Sequence, residues 1–427
     1  MTALEVAIVI IRSVVIALVV LQIVPLLIWL ERKGAAWTQN RPGPERAAVG
    51  PFRLGGLLHV LADAVKMIFK EDLEPSGVNR FYYRLAPVIV VAVSLMTVAV
   101  VPWFDTIVLP GGLTIGGAPL DLNVALLWFF AIVSLTVYGV IFAGWASNNK
   151  YSLLGSMRAS AAVLSYEIPM GLSVIGAVMY FGTASLTGIV SAQGGSWFGI
   201  IPKWGVFVQP IAALIFIVCA FAETNRHPFE QAEGEAEIVS GYHTEYAGMK
   251  FGMFFLGEYA AMVVSACMIV TLFFGGWQVP WMTTAQLIEF AKPTTLWLLG
   301  IGFALALVLT AVFLGYFKRS IGQWKDMRDY EGLILALAAI GGAATALLLF
   351  FIVLAVDLPA WYGPIFAAVV QFHVFLAKVL FGCWVFVWVR WTLPRFRYDQ
   401  VMNLGWRTLL PLALVNILLT GILIMVF

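Results

Sequence analysis

The chain has 427 residues, of which 62% are hydrophobic and only 11% charged, with a formal net charge of +2 at pH 7. A water-soluble domain carries about a quarter charged residues, so this composition excludes a soluble enzyme and predicts an all-α, polytopic membrane protein. The near-neutral balance says nothing about nucleic acid; the distribution of charge is what informs.

Apolar runs of about 20 residues, the length that a hydrocarbon core of about 30 Å demands, recur along the whole chain. They predict ten spans at 4–30, 85–106, 122–144, 158–182, 207–222, 250–275, 295–317, 332–357, 365–390 and 406–427. The first run, from Ala3 to Leu30, is too long for the apolar stretch of a signal peptide and ends in Glu31-Arg32-Lys33. It reads as a span. No internal repeat is visible, which weighs against a transporter built on inverted repeats.

The loop over 31–84 contains GGLLHVLADAVKMIFKED, from Gly55 to Asp72. His59, Asp63, Lys66 and Lys70 recur at helical spacing on one face, and leucine, valine, isoleucine and phenylalanine cover much of the rest. This is an amphipathic helix suited to lying along a membrane surface. Asp63 and Lys66, at i and i+3, are spaced for an ion pair. A solvated face over a lipid-anchored back and the lip of a cavity both fit this pattern.

Glu167 lies early in the fourth span, in SYEIPMG, and Glu258 lies well inside the sixth, in FFLGEYAAM. An ionised side chain in hydrocarbon costs about 3 kcal/mol or more, so such residues usually face a bundle interior or an ion path. Between them runs the acidic loop 223–249. It sets Glu223, Glu230, Glu233, Glu235, Glu237 and Glu245 against a single base, Arg226. Glu230, Glu233 and Glu237 are spaced to share a helical face, where crowding raises some proton affinities and couples the titrations. A proton relay and an acidic surface that docks a basic partner are both open readings; Ile238, Val239 and Tyr242 argue against full solvation.

The seventh and eighth spans, with the loop from Lys318 to Glu331, form a self-contained hairpin over 295–357. Lys378 is the one deep base, for which a buried carboxylate is the natural partner, and Arg12 also needs a partner. The last basic loop, RWTLPRFRYDQ, sets Arg395 and Arg397 beside Asp399. Cys219, Cys267 and Cys383 are isolated within apolar segments and cannot hold an iron–sulfur cluster. Of the histidines only His373 lies in a span, so no facing pair exists to ligate haem. The chain is expected to carry no redox centre, metal or catalytic group of its own.

Almost all of the 25 basic residues fall in alternate loops; the opposite loops keep Lys203 and Lys292, while Arg12 and Lys378 sit within spans. The positive-inside rule then predicts cytoplasmic basic loops, with both termini on the outer side of a bacterial-type cell membrane.

Taken together, several strings resemble the quinone-site membrane subunit of respiratory complex I, the NuoH-like family. They are ERK at 31–33, QNRPGP at 39–44, ADAVKMIFKED at 62–72, SNNKYSLLGSMRA at 147–159, SYE at 165–167, AETNRHPFEQAEGEAEIVSGYHTEY at 222–246, FFLGEY at 254–259 and RWTLPRFRYDQ at 390–400. The resemblance spans nearly the whole chain. That family usually has eight spans, so the hairpin is a departure whose role the resemblance does not supply.

The resemblance implies a subunit of a proton-pumping NADH:quinone oxidoreductase whose loops form the membrane end of a quinone chamber. Quinone is then the substrate. Flavin and iron–sulfur clusters belong to partner subunits, two hydrophilic ones seal the chamber, and small membrane subunits and lipid are neighbours. Arg41, Asp63, Lys66 and Arg395 fall on positions near the quinone path, which involves the first span, the amphipathic helix and the sixth span. Glu167, Glu223, Glu230, Glu233, Glu235, Glu237 and Glu258 fall on acidic positions of the chamber or its proton path; Glu230 stands where many relatives have Asp. The corresponding subunit of an energy-converting hydrogenase and an autonomous proton-coupled transporter are the rival readings.

Overall fold

Nothing in a bilayer core hydrogen-bonds an exposed peptide group, so each apolar run must satisfy its backbone internally and coils into a helix. The computed structural model describes residues 3–110, 112 and 114–426, without the side chains of 3–5, 235 and 236. Helix α1 (Ala3–Thr38) runs through Pro25 without interruption. A turn at Leu54–Gly56 leads into α2 (Leu58–Phe69), the predicted amphipathic helix, and α3 (Arg80–Thr97) returns across the membrane. On the side away from the basic loops, β1 (Ile107–Val108) pairs antiparallel with β2 (Thr114–Ile115). Helices α4 (Ala125–Val133) and α5 (Thr136–Ala146) form one interrupted span.

Helix α6 (Lys150–Phe181) starts on Asn149, whose side chain accepts the Tyr151 N–H at 2.9 Å. The short elements α7 (Leu186–Ala192), β3 (Ser196–Trp197), β4 (Ile201–Pro202) and α8 (Gly205–Val208) precede α9 (Pro210–Glu223). A single turn, α10 (Glu235–Ile238), lies in the acidic loop before α11 (Gly248–Phe273). Then come α12 (Thr284–Glu289), the hairpin arms α13 (Ala291–Ser320) and α14 (Glu331–Ala355), and α15 (Tyr362–Thr392). Helix α16 (Tyr398–Asn403) continues through a wide turn into α17 (Leu410–Val426).

All ten predicted apolar segments are helical. Among the described residues nine helices are long and apolar enough to cross a membrane. The other segment, α9, has 14 residues, or about 21 Å at 1.5 Å per residue. The break before it falls at Gln209, which is 5% exposed. Its amide donates to Thr420 Oγ1 at 3.0 Å and accepts from Asn416 Nδ2 at 3.2 Å, both on α17. The Gln209 backbone stays paired, its N–H donating to the Gly205 carbonyl at 2.8 Å and its carbonyl accepting the Ala213 N–H at 3.0 Å, while its side chain ties the break to α17.

Helix α11 is the mast of the bundle. From Tyr259 to Phe273 all but one of its side chains are buried, against α1, α3, α9 and α15. A helix buried around nearly its whole circumference belongs in the middle of a membrane bundle. By contrast, α13 and α14 pack mainly on each other and leave most of their apolar surface outward.

Lys378 corrects the expectation of a buried carboxylate partner. Its ammonium donates to the carbonyls of Phe274, Gly276 and Gln278 at 3.0, 2.9 and 2.8 Å. The chain turns sharply where α11 ends at Phe273, and the carbonyls of that turn converge next to the negative end of the helix dipole, which suits a cation. Arg12 likewise finds carbonyls, of Gly116 at 2.5 Å and Pro119 at 3.5 Å. Replacing Lys378 by Met strands three carbonyls in a low-dielectric place. The expected cost is about 1–3 kcal/mol, measured as earlier thermal unfolding in detergent, with unchanged melting as the contrary result.

Candidate functional site

Successive helical side chains diverge by about 100°, and the end of α1 uses that divergence. Arg32 reaches outward to Asp63 of α2 at 2.5 Å, and Lys33 turns to the Pro42 carbonyl at 2.7 Å and Glu45 at 3.1 Å. Glu31 points inward. There it meets Arg226, the lone base of the acidic loop, at 2.9 Å, and Arg390 of α15 at 2.8 Å. The Tyr259 hydroxyl donates to Glu31 at 2.8 Å.

Arg226 is the hub. Its side chain is 3% exposed, and its guanidinium lies 4.1 Å from the Tyr259 ring centroid. Its Nε stands 3.0 Å from Glu258 Oε1, at ion-pair distance though not aligned as a hydrogen bond. Burial works against its charge, but Glu258 and Glu31 hold the guanidinium protonated. One buried cation therefore joins α1, α11 and the acidic loop.

Glu230 and Glu233 extend the cluster. Glu230 faces His227 at 3.4 Å and Arg390 at 3.8 Å, while Glu233 lies 3.8 Å from His243. Burial alone would raise the Glu230 carboxyl, but hydrogen bonds to His227 and Glu233 and the charge of Arg390 bring it down to about 2. Glu233 moves oppositely: burial, the nearby Glu258 and its hydrogen bond with Glu230 push it well above the carboxylate range. His243, driven down to about 4 by burial, is neutral at pH 7 and offers Glu233 no positive charge. Tyr242, Phe251 and Phe255 pack around the His243 ring. The arrangement therefore drives the proton affinities of two adjoining carboxyls in opposite directions, Glu230 down and Glu233 up, which is what a proton-exchanging pair requires.

Glu167 and Glu223 form a second, deeper group within electrostatic reach of each other. Glu223 lines a narrow cavity with Ser94, Thr97, Thr136, Met170 and Ser265, and its Oε2 has no hydrogen-bond partner. Glu258 and Ser265 are two turns apart on one face of α11, so that face leads from the Arg226 cluster to the cavity.

The other predicted residues lie apart. The helix expected to align Glu230, Glu233 and Glu237 does not form: Pro228 precedes it, and the chain turns at Gly234 before the one turn of α10. Gly241, at φ +61, packs so closely that a Cβ would stand 1.7 Å from the Ala232 carbonyl oxygen. Glu237 is directed away to Arg158 at 2.6 Å, whose hydrogen bond lowers its proton affinity. Glu235 has its side chain outside the described residues. Asp63 and Lys66 are 3.7 Å apart on α2. Arg41 is exposed and donates to Gln39 at 2.7 Å. Arg395 packs over Gly234, with buried Nε and Nη2 lacking hydrogen-bond partners.

Sequence reasoning missed Glu31, Arg390 and Tyr259, and undervalued Arg226. Glu31 and Arg390 were hidden among the basic residues expected at span ends. The available signal was Arg226 itself, a single base embedded among acids.

The described residues thus form a many-helix bundle with a buried ion network on its basic-loop face and acids leading inward. The NADH dehydrogenase family model matches residues 11–321 and 326–421, interrupted only within the hairpin loop. The NADH-quinone oxidoreductase H subunit from Bdellovibrio bacteriovorus is 38% identical, covering 97% of this chain and 95% of that protein. The H subunit from Flavobacterium johnsoniae is 41% identical over 93% of this chain and 89% of its own, and the Rhodothermus marinus protein named as the eighth subunit is 38% identical over 93% and 91%. The chain belongs to this family, the membrane-embedded H subunits of NADH-quinone oxidoreductase, and is a non-catalytic part of an enzyme complex.

The opposite displacements of Glu230 and Glu233 predict opposite effects on stability. A carboxyl whose folded-state pKa is lowered contributes stability above its ordinary value, lost as pH falls through the folded one. Glu230→Gln should therefore lower the melting temperature at pH 7, the deficit fading only as pH drops from 4.5 towards about 2. A raised pKa costs stability once pH exceeds the ordinary value, so Glu233→Gln should melt no lower than the parent at pH 8. Equal losses in both variants would contradict the assignment.

Proposed function

We propose that this chain forms the membrane wall of the quinone chamber in a proton-translocating NADH:quinone oxidoreductase and converts quinone reduction into proton movement. One observation carries this reading. Glu31, Glu230, Glu233 and Glu258 share only two guanidiniums, Arg226 and Arg390, so the cluster retains a proton whose place depends on neighbouring charge.

Reducing a quinone to a quinol takes two electrons and two protons. The electrons come from flavin and iron–sulfur clusters on partner subunits; the residues of this chain manage protons and charge. When electrons arrive on the quinone, the added negative charge makes proton donation from Glu233 favourable, and Arg226 and Arg390 redistribute between Glu31, Glu230 and Glu258. A response of this kind needs charge states that are differently stabilised with the chamber empty, filled and reduced. Glu258, the polar face of α11, Glu223 and Glu167 lead the response into the membrane. Neighbouring membrane subunits receive it.

The mouth of the chamber lies where α1, α2 and α11 meet. Leu61, Val65, Ile68 and Phe69 of α2 are exposed, as a helix lying on lipid requires, while Asp63 faces Arg32. Lys66 borders the same lip, and Arg41 and Arg395 supply positive charge on the face that hydrophilic partner subunits cover. The basic loops are cytoplasmic by the positive-inside bias, with both termini on the outer side. The relatives' names, all of NADH-quinone oxidoreductase subunits, favour this reading over a hydrogenase-type subunit or an autonomous transporter.

In the assembled complex, Glu233→Gln and Glu258→Gln should each lower quinone reduction about tenfold or more. NADH oxidation by ferricyanide, which bypasses the chamber, should persist. Unchanged quinone reduction and proton pumping in both variants would remove the proposal.

A further inference from the structure

Helix α2 has no fully buried side chain of its own, so the tie at its start bears on its position together with Asp63–Arg32 and the packing of Met67 on Gly252. The tie comes from far along the chain. Glu331, the first residue of the hairpin arm α14, is 1% exposed and reaches the turn that leads into α2. Its Oε1 accepts the backbone N–H of Arg53 at 2.7 Å and of Leu54 at 2.6 Å. Its Oε2 accepts Arg53 Nε at 3.1 Å and the Tyr316 hydroxyl, on α13, at 3.1 Å. Arg53 also donates to the Tyr316 hydroxyl and lies 4.8 Å from the Trp324 ring centroid.

The backbone here has a recognisable form. Arg53 is right-handed at φ −112, ψ −27, and Leu54 is left-handed at φ +49. Two successive N–H groups in that sequence of conformations converge into a nest for an anion, and this nest holds the hairpin's own carboxylate. Leu54 is an exposed leucine in a conformation that favours glycine. Nothing in its own side chain rewards the strain; the carboxylate does. The turn continues through Gly55 and Gly56, at φ +59 and +93, and a Cβ on Gly56 would stand 1.8 Å from the Pro44 carbonyl oxygen. Trp29 of α1 donates to the Gly55 carbonyl at 3.0 Å, so the same short turn is tied to the first span.

The geometry points to Glu331 as a positioning residue for the quinone mouth: by filling the Arg53–Leu54 nest, the hairpin sets the pose of α2 against α1 and α11. This rests on the reading above that the mouth lies beside α2, and gives the hairpin a part in substrate access. Loss of the carboxylate frees the turn, and α2 shifts relative to Arg32 on α1 and to Gly252 on α11, against which Met67 packs. Passage of a long isoprenoid tail is affected more than the chemistry at the head group.

The test is steady-state kinetics of the assembled complex in liposomes, normalised to ferricyanide-supported NADH oxidation, with a long-tailed and a short-tailed quinone. Glu331→Gln should raise KM for the long-tailed quinone about three- to tenfold, with kcat within about twofold and the short-tailed KM changed less. Leu54→Gly, which makes the left-handed turn strain-free, should reverse most of that rise when combined with Glu331→Gln. Gly55→Ala strains the same turn in open space, without touching the hairpin, and should reproduce the KM effect even where the Glu331 variant assembles poorly. An unchanged long-tail KM in the assembled variants would overturn the inference, as would a rise that Leu54→Gly leaves in place. If the parent complex itself fails to reduce quinone, the underlying function reading falls and takes this inference with it.

Discussion

The site is organised by one buried cation. Arg226 stands between Glu31 and Glu258 with the Tyr259 ring beneath it, almost wholly withdrawn from solvent. A charge in such a place is tolerable only while its partners remain, because removing one leaves the others desolvated and unpaired; breaking a buried pair typically costs about 3–5 kcal/mol. Arg226 itself stands on the acidic loop and its partners come from α1 and α11, segments remote in sequence. The requirement to satisfy Arg226 therefore fixes where these elements meet, and the loops on the basic side inherit that arrangement.

The cluster is deliberately unbalanced. Four carboxyls share two guanidiniums, and two adjoining acids divide the consequences: His227 and Arg390 lower the proton affinity of Glu230, while burial beside Glu258 raises that of Glu233. Neutral His243 and its aromatic neighbours deny Glu233 a compensating charge. Such a pair is responsive because a modest change in nearby potential alters which acid carries the proton. The hairpin contributes a different kind of control. Its Glu331 carboxylate acts on the backbone that launches α2, linking a peripheral element to the amphipathic helix.

Much of this was legible in the sequence for specific physical reasons. Span length and the loop charge bias follow from bilayer thickness and insertion, so ten apolar helical segments and the amphipathic helix with its Asp63–Lys66 pair could be read directly. The local spacing of Glu230, Glu233 and Glu237 misled, because it assumed a helix that the left-handed turn at Gly234 interrupts. Lys378 misled too: a base within a span suggested an acid, whereas the end of α11 supplies three carbonyls at hydrogen-bond distance. Glu31 and Arg390 were illegible because their significance lies in a meeting of α1, α15 and the loop. One-dimensional spacing carries no trace of such contacts.

The account stands on a proton held by Glu233 whose affinity follows the state of the chamber. Infrared difference spectroscopy of the assembled complex, comparing oxidised and reduced quinone at neutral pH, addresses this directly. A protonated-carboxyl band that shifts or disappears on reduction, and that is missing from Glu233→Gln, is the result the account predicts. A carboxyl spectrum identical in both quinone states, or unaltered by the substitution, would contradict it.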